Sequence, residues 1–177
     1  MNYIINQSFF VRDIVVPNSN TTPIVERLNL FISKYEKECL LKILGYPLYK
    51  VFETESSQRM TDLLYGSEYT DVNGDLQLYQ GLVHDENDSL IANYIYYFFQ
   101  QNSATVSTGI STVKMNAEAG TSVSPEEKMV FAWNYFSSEV QSMCSFLWSK
   151  KDDYPEFSAH QLAKTIDLSR PINIFDI

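Results

Sequence analysis

The hydrophobic pattern is densest at residues 89–101, Ser-Leu-Ile-Ala-Asn-Tyr-Ile-Tyr-Tyr-Phe-Phe-Gln-Gln, a stretch without charge in which only Asn93 and the terminal residues are polar. Asp88 stands just before it, where a helix N-cap belongs, so the stretch reads as a helix. Ile91, Tyr94, Ile95 and Phe98 form one stripe at helical spacing, while Leu90, Tyr96, Tyr97 and Phe99 carry apolar surface round to the other side. One packed face cannot cover such a helix, which therefore belongs in the middle of its domain or at a subunit interface. It is too short to cross a bilayer, which takes about 20 apolar residues.

Periodic stretches flank it on both sides. Thr22 and Pro23 read as N-cap and N1, and Ile24, Leu28, Phe31, Tyr35, Cys39 and Ile43 then recur at spacings of three and four up to Gly45, which supplies a left-handed C′ position. Pro47 opens a short second helix through Leu48, Val51 and Phe52. Ser56 or Ser57 caps a third, which carries Met60, Leu63 and Leu64 and ends at Gly66. Downstream, Ser124-Pro-Glu-Glu127 is a capping box with Pro at N1. The helix it opens carries Met129, Trp133, Phe136, Val140, Met143 and Leu147, a seam expected to pack against the central helix.

Elsewhere the helical period is absent. Asn73 and Gly74 sit between the alternating segments of residues 67–80, the strongest short-range signal for a β-hairpin. Asp71, Asn73 and Asp75 also alternate as calcium ligands do, but the glycine is misplaced for a calcium loop and Leu82 stands where its bidentate Glu is needed. Residues 102–123 are too long for an ordinary connection, and their Thr and Val content around Gly109 favours an extended, hairpin-like projection. Val106, Ile110, Val113 and Met115 are its candidate subunit-interface residues. Residues 1–21 read as an extended N-terminal arm, β-branched and aromatic up to Val16 and then broken by turn residues. Helical periodicity stops after Trp148, and residues 150–177 form a tail. Its Ile172, Ile174, Phe175 and Ile177 cannot build a core alone, so they either return to the domain or dock on a partner by strand addition or pocket insertion. The expected fold is mainly α: a small helical bundle over residues 22–149 with a short β-hairpin, a long inter-helix loop and extended N- and C-terminal arms.

Composition narrows the function classes. With 177 residues, 45% of them hydrophobic, the chain can furnish the core of one domain. An aromatic fraction of 14%, with 12 Tyr and 11 Phe, exceeds what a small core needs and favours an oligomer or assembly component. A formal charge of -9 argues against a nucleic-acid reader, which needs clustered Lys and Arg. Cys39 and Cys144 fall in predicted helices without CxxC spacing or a local His, so free thiols in a reducing compartment are expected. No signal-peptide pattern is evident, and the sequon at Asn20 reads as chance. His84 beside Asp85 and Glu86, and His160 in the tail, lack partners at triad or metal-site spacing, and Asp85, Glu86 and Asp88 suit the start of a helix dipole. Walker A, GxGxxG and GxSxG motifs are absent. No catalytic residue, cofactor or metal is expected, although sites assembled in three dimensions leave no local trace.

A family resemblance gives these features a role. Tyr35-Glu-Lys-Glu-Cys-Leu-Leu-Lys-Ile-Leu-Gly45 followed by Pro47-Leu-Tyr49, then Leu64-Tyr-Gly-Ser-Glu-Tyr69, Tyr79-Gln-Gly-Leu82, the aromatic helix, Thr108-Gly-Ile110 with Val113, and Ala132-Trp-Asn134 occur in this order over about residues 24–150. In that order the chain resembles the head-tail connector (adaptor, head-completion) proteins of tailed bacteriophages, especially those of Bacteroides and crAss-like phages. The resemblance implies a non-enzymatic virion protein, a small helical bundle forming a ring, commonly twelvefold, beneath the portal. Its implied partners are further copies of itself, the portal protein and other tail or connector proteins. Packaged DNA would pass through without specific binding, since an acidic wall repels it. The implied location is the portal vertex, with assembly in the host cytoplasm and no membrane. The arm and the Ile-Phe-Asp-Ile ending lie outside the resemblance. The alternative is a helical cytoplasmic interaction module that oligomerises, distinguished by size, because a ring closes head to tail whereas a dimer uses one self-complementary patch.

Overall fold

The uncharged stretch forms helix α3 (Leu90–Ser103), and Ser89 caps it: its hydroxyl accepts a hydrogen bond from the Ala92 N–H at 2.9 Å. In the computed structural model, which describes residues 3–84, 89–103, 105–107, 112–114, 125–160 and 162, α3 lies between α1 (Thr22–Thr54) and α4 (Pro125–Ser149). Nine of its residues are buried, on all sides of the helix. This is the middle-of-the-domain solution to an apolar surface that no single face could cover. Even Asn93 is inside, its side-chain amide donating to the Ser89 carbonyl at 3.0 Å.

Aromatic contacts lock the three long helices together. Tyr35 of α1 stacks on Phe98 with ring centroids 4.5 Å apart, and Phe31 meets Phe99 edge-on at 5.3 Å. On the other side, Tyr94 lies 5.1 Å from Phe136 and Tyr97 lies 5.0 Å from Trp133. Residue numbers rise along α3 as they fall along α4, so the two helices are antiparallel. The whole seam Met129, Trp133, Phe136, Val140, Met143 and Leu147 is buried, as its spacing predicts. Each such side chain contributes about 1.5–3 kcal/mol by leaving water.

In α1 the expected first and second helices run on as one element across a kink at Gly45, whose φ of 72° and ψ of 160° are non-helical. Its φ is positive, as expected, but its ψ lies beyond the left-handed helical region of a C′ glycine. A short α2 (Gln58–Tyr65) follows Ser57 and ends at Gly66. At Gly66 a Cβ would run into the Tyr79 carbonyl oxygen, so the hairpin can close against the helix end only with glycine there.

Strands β1 (Ser67–Thr70) and β2 (Leu76–Tyr79) make the expected hairpin, pairing Ser67 with Tyr79 and Thr70 with Leu76. Tyr69 and Tyr79 on one face pack on Phe146 of α4 at 5.5 and 4.5 Å. Within the expected projection after α3, β3 (Thr105–Ser107) and β4 (Thr112–Lys114) pair antiparallel as a second, separate two-stranded sheet. Among the described residues of the N-terminal arm, 3–21, the regular structure is two 3-10 turns, Gln7–Phe9 on α1 and Arg12–Ile14 on α3 and α4. Ile5, Phe9, Phe10, Ile14 and Val16 are buried, so the arm closes the bundle.

Candidate functional site

The arm is held at its start by Glu36. This residue falls between Ile32 and Leu40 at helical spacing, on the inner face of α1, and is only 6% exposed. Its carboxylate accepts from the Ile4 N–H at 3.1 and 3.0 Å and from the Ile5 N–H at 3.0 Å. Burial pushes its pKa above the usual carboxylate value, partly opposed by these two N–H donors. Beside it opens a cleft of about 530 Å³, which exists because the Gly45 kink brings Tyr49, Phe52 and Glu53 opposite Glu36, Lys37 and Leu40. The Tyr49 hydroxyl donates to Glu53 at 2.5 Å, and burial with that bond pushes the phenol up to about 12. Within this cleft Glu36 thus binds the arm and Tyr49 binds Glu53.

A second cluster fixes the segment after α4. Arg59 of α2 donates to the Asp153 carbonyl at 2.6 Å and pairs with Glu55 at 2.7 Å and Glu156 at 3.1 Å. Tyr154 is buried against Phe146 and donates its hydroxyl to the Arg59 carbonyl at 2.5 Å. The chain therefore returns to the domain at least as far as these residues. Glu55 is pulled down to about 2 by hydrogen bonds from Arg59 and Ser57.

The open surface lies at the β1–β2 hairpin. Leu76 and Leu78 alternate with Gln77 and Tyr79, so when Tyr79 turns inward the leucines turn out, and they are 70% and 59% exposed. Val72 at the turn is 76% exposed, and Trp148 lines a shallow pocket with it and is 61% exposed. Hydrophobic residues on both faces of the hairpin were the available sequence signal for this surface, because one helix can cover only one face. The Asp71 carboxylate, the would-be calcium ligand, instead accepts from the Asn73 and Asp75 N–H groups at 2.9 and 3.0 Å and shapes the turn.

Of the residues singled out in the sequence, Val106 and Val113 are register partners across β3–β4. Ile110, Met115 and the tail residues Ile172, Ile174, Phe175 and Ile177 lie outside the described residues, as do Asp88 and Ser124. Cys39 and Cys144 are free thiols, both pushed up by burial, Cys144 to about 11. His84 and His160 line different shallow pockets. Among the described residues, no group of three or more His, Cys, Asp or Glu could hold a metal ion, and no helix is long and apolar enough to cross a membrane. In comparisons with known proteins, no family model, no curated protein and no solved structure matches the chain.

Proposed function

We propose that this chain is a subunit of a bacteriophage head-tail connector, a structural ring below the portal that joins head to tail and continues the DNA channel. The ordered motifs over residues 24–150 suggest the class. The observation that supports it most is the hairpin surface: the helical core is already closed, yet Val72, Leu76, Leu78 and Trp148 stand in water. Such a surface on a small subunit is what assembly with other protein requires. The role is non-enzymatic. Copies of the chain, commonly twelve in this class, surround the DNA, and the formal charge of -9 keeps the genome from adhering to the ring. The portal binds on one side, through the Ile172–Ile177 tail, and further tail or connector proteins on the other. The protein resides at the portal vertex of the virion after assembly in the host cytoplasm.

Cryo-electron microscopy of purified particles tests this directly. Density for the chain as a closed ring at the portal vertex is the expected result. A protein that dimerises in solution and is absent from particles would instead be an oligomerising helical interaction module.

A further inference from the structure

We infer that Asn73, at the tip of the β1–β2 hairpin, is a site of spontaneous covalent modification: its side-chain amide cyclises onto the Gly74 nitrogen, ammonia leaves, and water reopens the ring to aspartate and isoaspartate. The reaction needs no partner and stands apart from the connector reading.

Asparagine is a thermolabile residue, and the access of the next backbone nitrogen to its side-chain carbonyl carbon decides which asparagine reacts. Asn73 alone is followed by glycine, while every other asparagine of the chain precedes a residue with a side chain. Asn73 and Gly74 are both exposed. A Cβ added at Gly74 would meet nothing within 4 Å, so no neighbour walls off the space in which the ring forms. Asn93 is the contrast, 1% exposed and tied by its side-chain amide to the Ser89 carbonyl at 3.0 Å.

One bond opposes the attack. The Gly74 N–H donates to the Asp71 carbonyl at 3.1 Å. That bond lies at the open end of a hairpin whose two strands have four residues each. Hairpins of this size are marginal, and exposed backbone bonds at their tips open at small free energy. Packing on Phe146 holds Tyr69 and Tyr79, but not the turn, where Val72 is 76% exposed.

Once that bond opens, hydroxide removes the Gly74 amide proton and the nitrogen attacks Asn73 Cγ. The Cγ–Nδ2 bond breaks as ammonia leaves, taking a proton from water. Water then adds to the cyclic imide, and nothing is oxidised or reduced. Opening at Cγ leaves aspartate on the original backbone. Opening at the Asn73 main-chain carbonyl carbon leaves isoaspartate, with the main chain running through Cβ and Cγ. The turn is closed by the Asp71 N–H on the Asp75 carbonyl at 2.9 Å and by the Asp75 N–H on the Asp71 carboxylate at 3.0 Å. With an extra backbone carbon between them these bonds cannot both be kept, so the tip opens and gains a negative charge while the helices are untouched.

The test is peptide mapping by mass spectrometry of the folded full chain held in mildly alkaline buffer. Asn73 is expected to convert ahead of every other asparagine, giving aspartate and isoaspartate together. Gly74→Ala, which crowds the attacking nitrogen, should slow conversion about tenfold. Asn73→Gln, which would have to close a larger ring, should stay unmodified. In the purified isoaspartate product the Asp71 and Asp75 amide protons should exchange faster than in Asn73→Asp. Four results overturn the inference: Asn73 intact in the folded chain but converted in urea, aspartate without isoaspartate, conversion unslowed by Gly74→Ala, or equal amide protection in the isoaspartate product and Asn73→Asp.

Discussion

The Trp133 indole sits among Tyr97, Phe136 and Tyr94, with ring centroids 5.0, 5.4 and 6.4 Å away, and its N–H has no hydrogen-bond partner among the described residues. Its contribution is therefore apolar bulk at the α3–α4 seam. Trp133→Ala should cost about 3–5 kcal/mol in chemical denaturation. Glu36 acts differently, because removing it strands two arm N–H groups: Glu36→Ala should cost about 1–3 kcal/mol. Its raised pKa also gives a pH signature. A carboxyl that holds its proton more tightly when folded contributes stability that is complete below its unfolded pKa and is lost as pH rises through the raised folded value. Glu55 runs the opposite way: lowered by Arg59, it supports the fold above the ordinary carboxylate range and loses that support as pH falls. The difference between wild type and Glu36→Gln isolates the first effect. Wild type should gain on the variant as pH falls from 7 towards 4, read from urea midpoints; a constant difference would show that Glu36 does not titrate there.

Among elements, the kink in α1 is the most sensitive joint. Gly45 holds a φ and ψ that only glycine adopts without strain, so Gly45→Ala should destabilise by about 1–3 kcal/mol and widen the Glu36 cleft, measurable by melting and by hydrogen exchange at Ile4 and Ile5. The helices were legible because burial repeats at helical spacing: the α4 seam and the all-round α3 follow from counting threes and fours. Gly66 and Gly74 likewise announce themselves, since their positive φ favours glycine. The arm was harder. Its buried Ile5, Phe9, Phe10, Ile14 and Val16 follow no period, because an irregular chain buries side chains wherever its neighbours leave grooves. Glu36 was readable as a carboxylate between two inward positions, yet its partners are backbone N–H groups over thirty residues away, which no local pattern encodes. The hairpin's outward face was half legible: alternation gave the strand, and only the packing on Phe146 decides which set of side chains is left in water.

At the scale of the whole molecule, the described core is complete before the final residues are reached. Leu162 is the last described position, and the return of the chain is already fixed by Tyr154 and by Arg59 with Glu156. Residues 169–177 add Ile172, Ile174, Phe175 and Ile177 beyond that anchorage, after Pro171. Burying one Ile or Phe contributes about 1.5–3 kcal/mol, and ordering the backbone costs about 1–2 kcal/mol per residue, so one tail binds weakly. Repeated around a ring, the same contact becomes strong, since every tail after the first docks at high effective concentration. Deleting residues 169–177 should therefore leave helicity and melting unchanged while abolishing recruitment to the portal vertex, read by circular dichroism on the purified chain and by its occupancy in particles. Loss of folding in the truncated chain would make the tail part of the core. Full occupancy without it would move the docking element elsewhere, and residues 3–16, which already fold onto the bundle, would then have to act through their exposed Tyr3 and Val15.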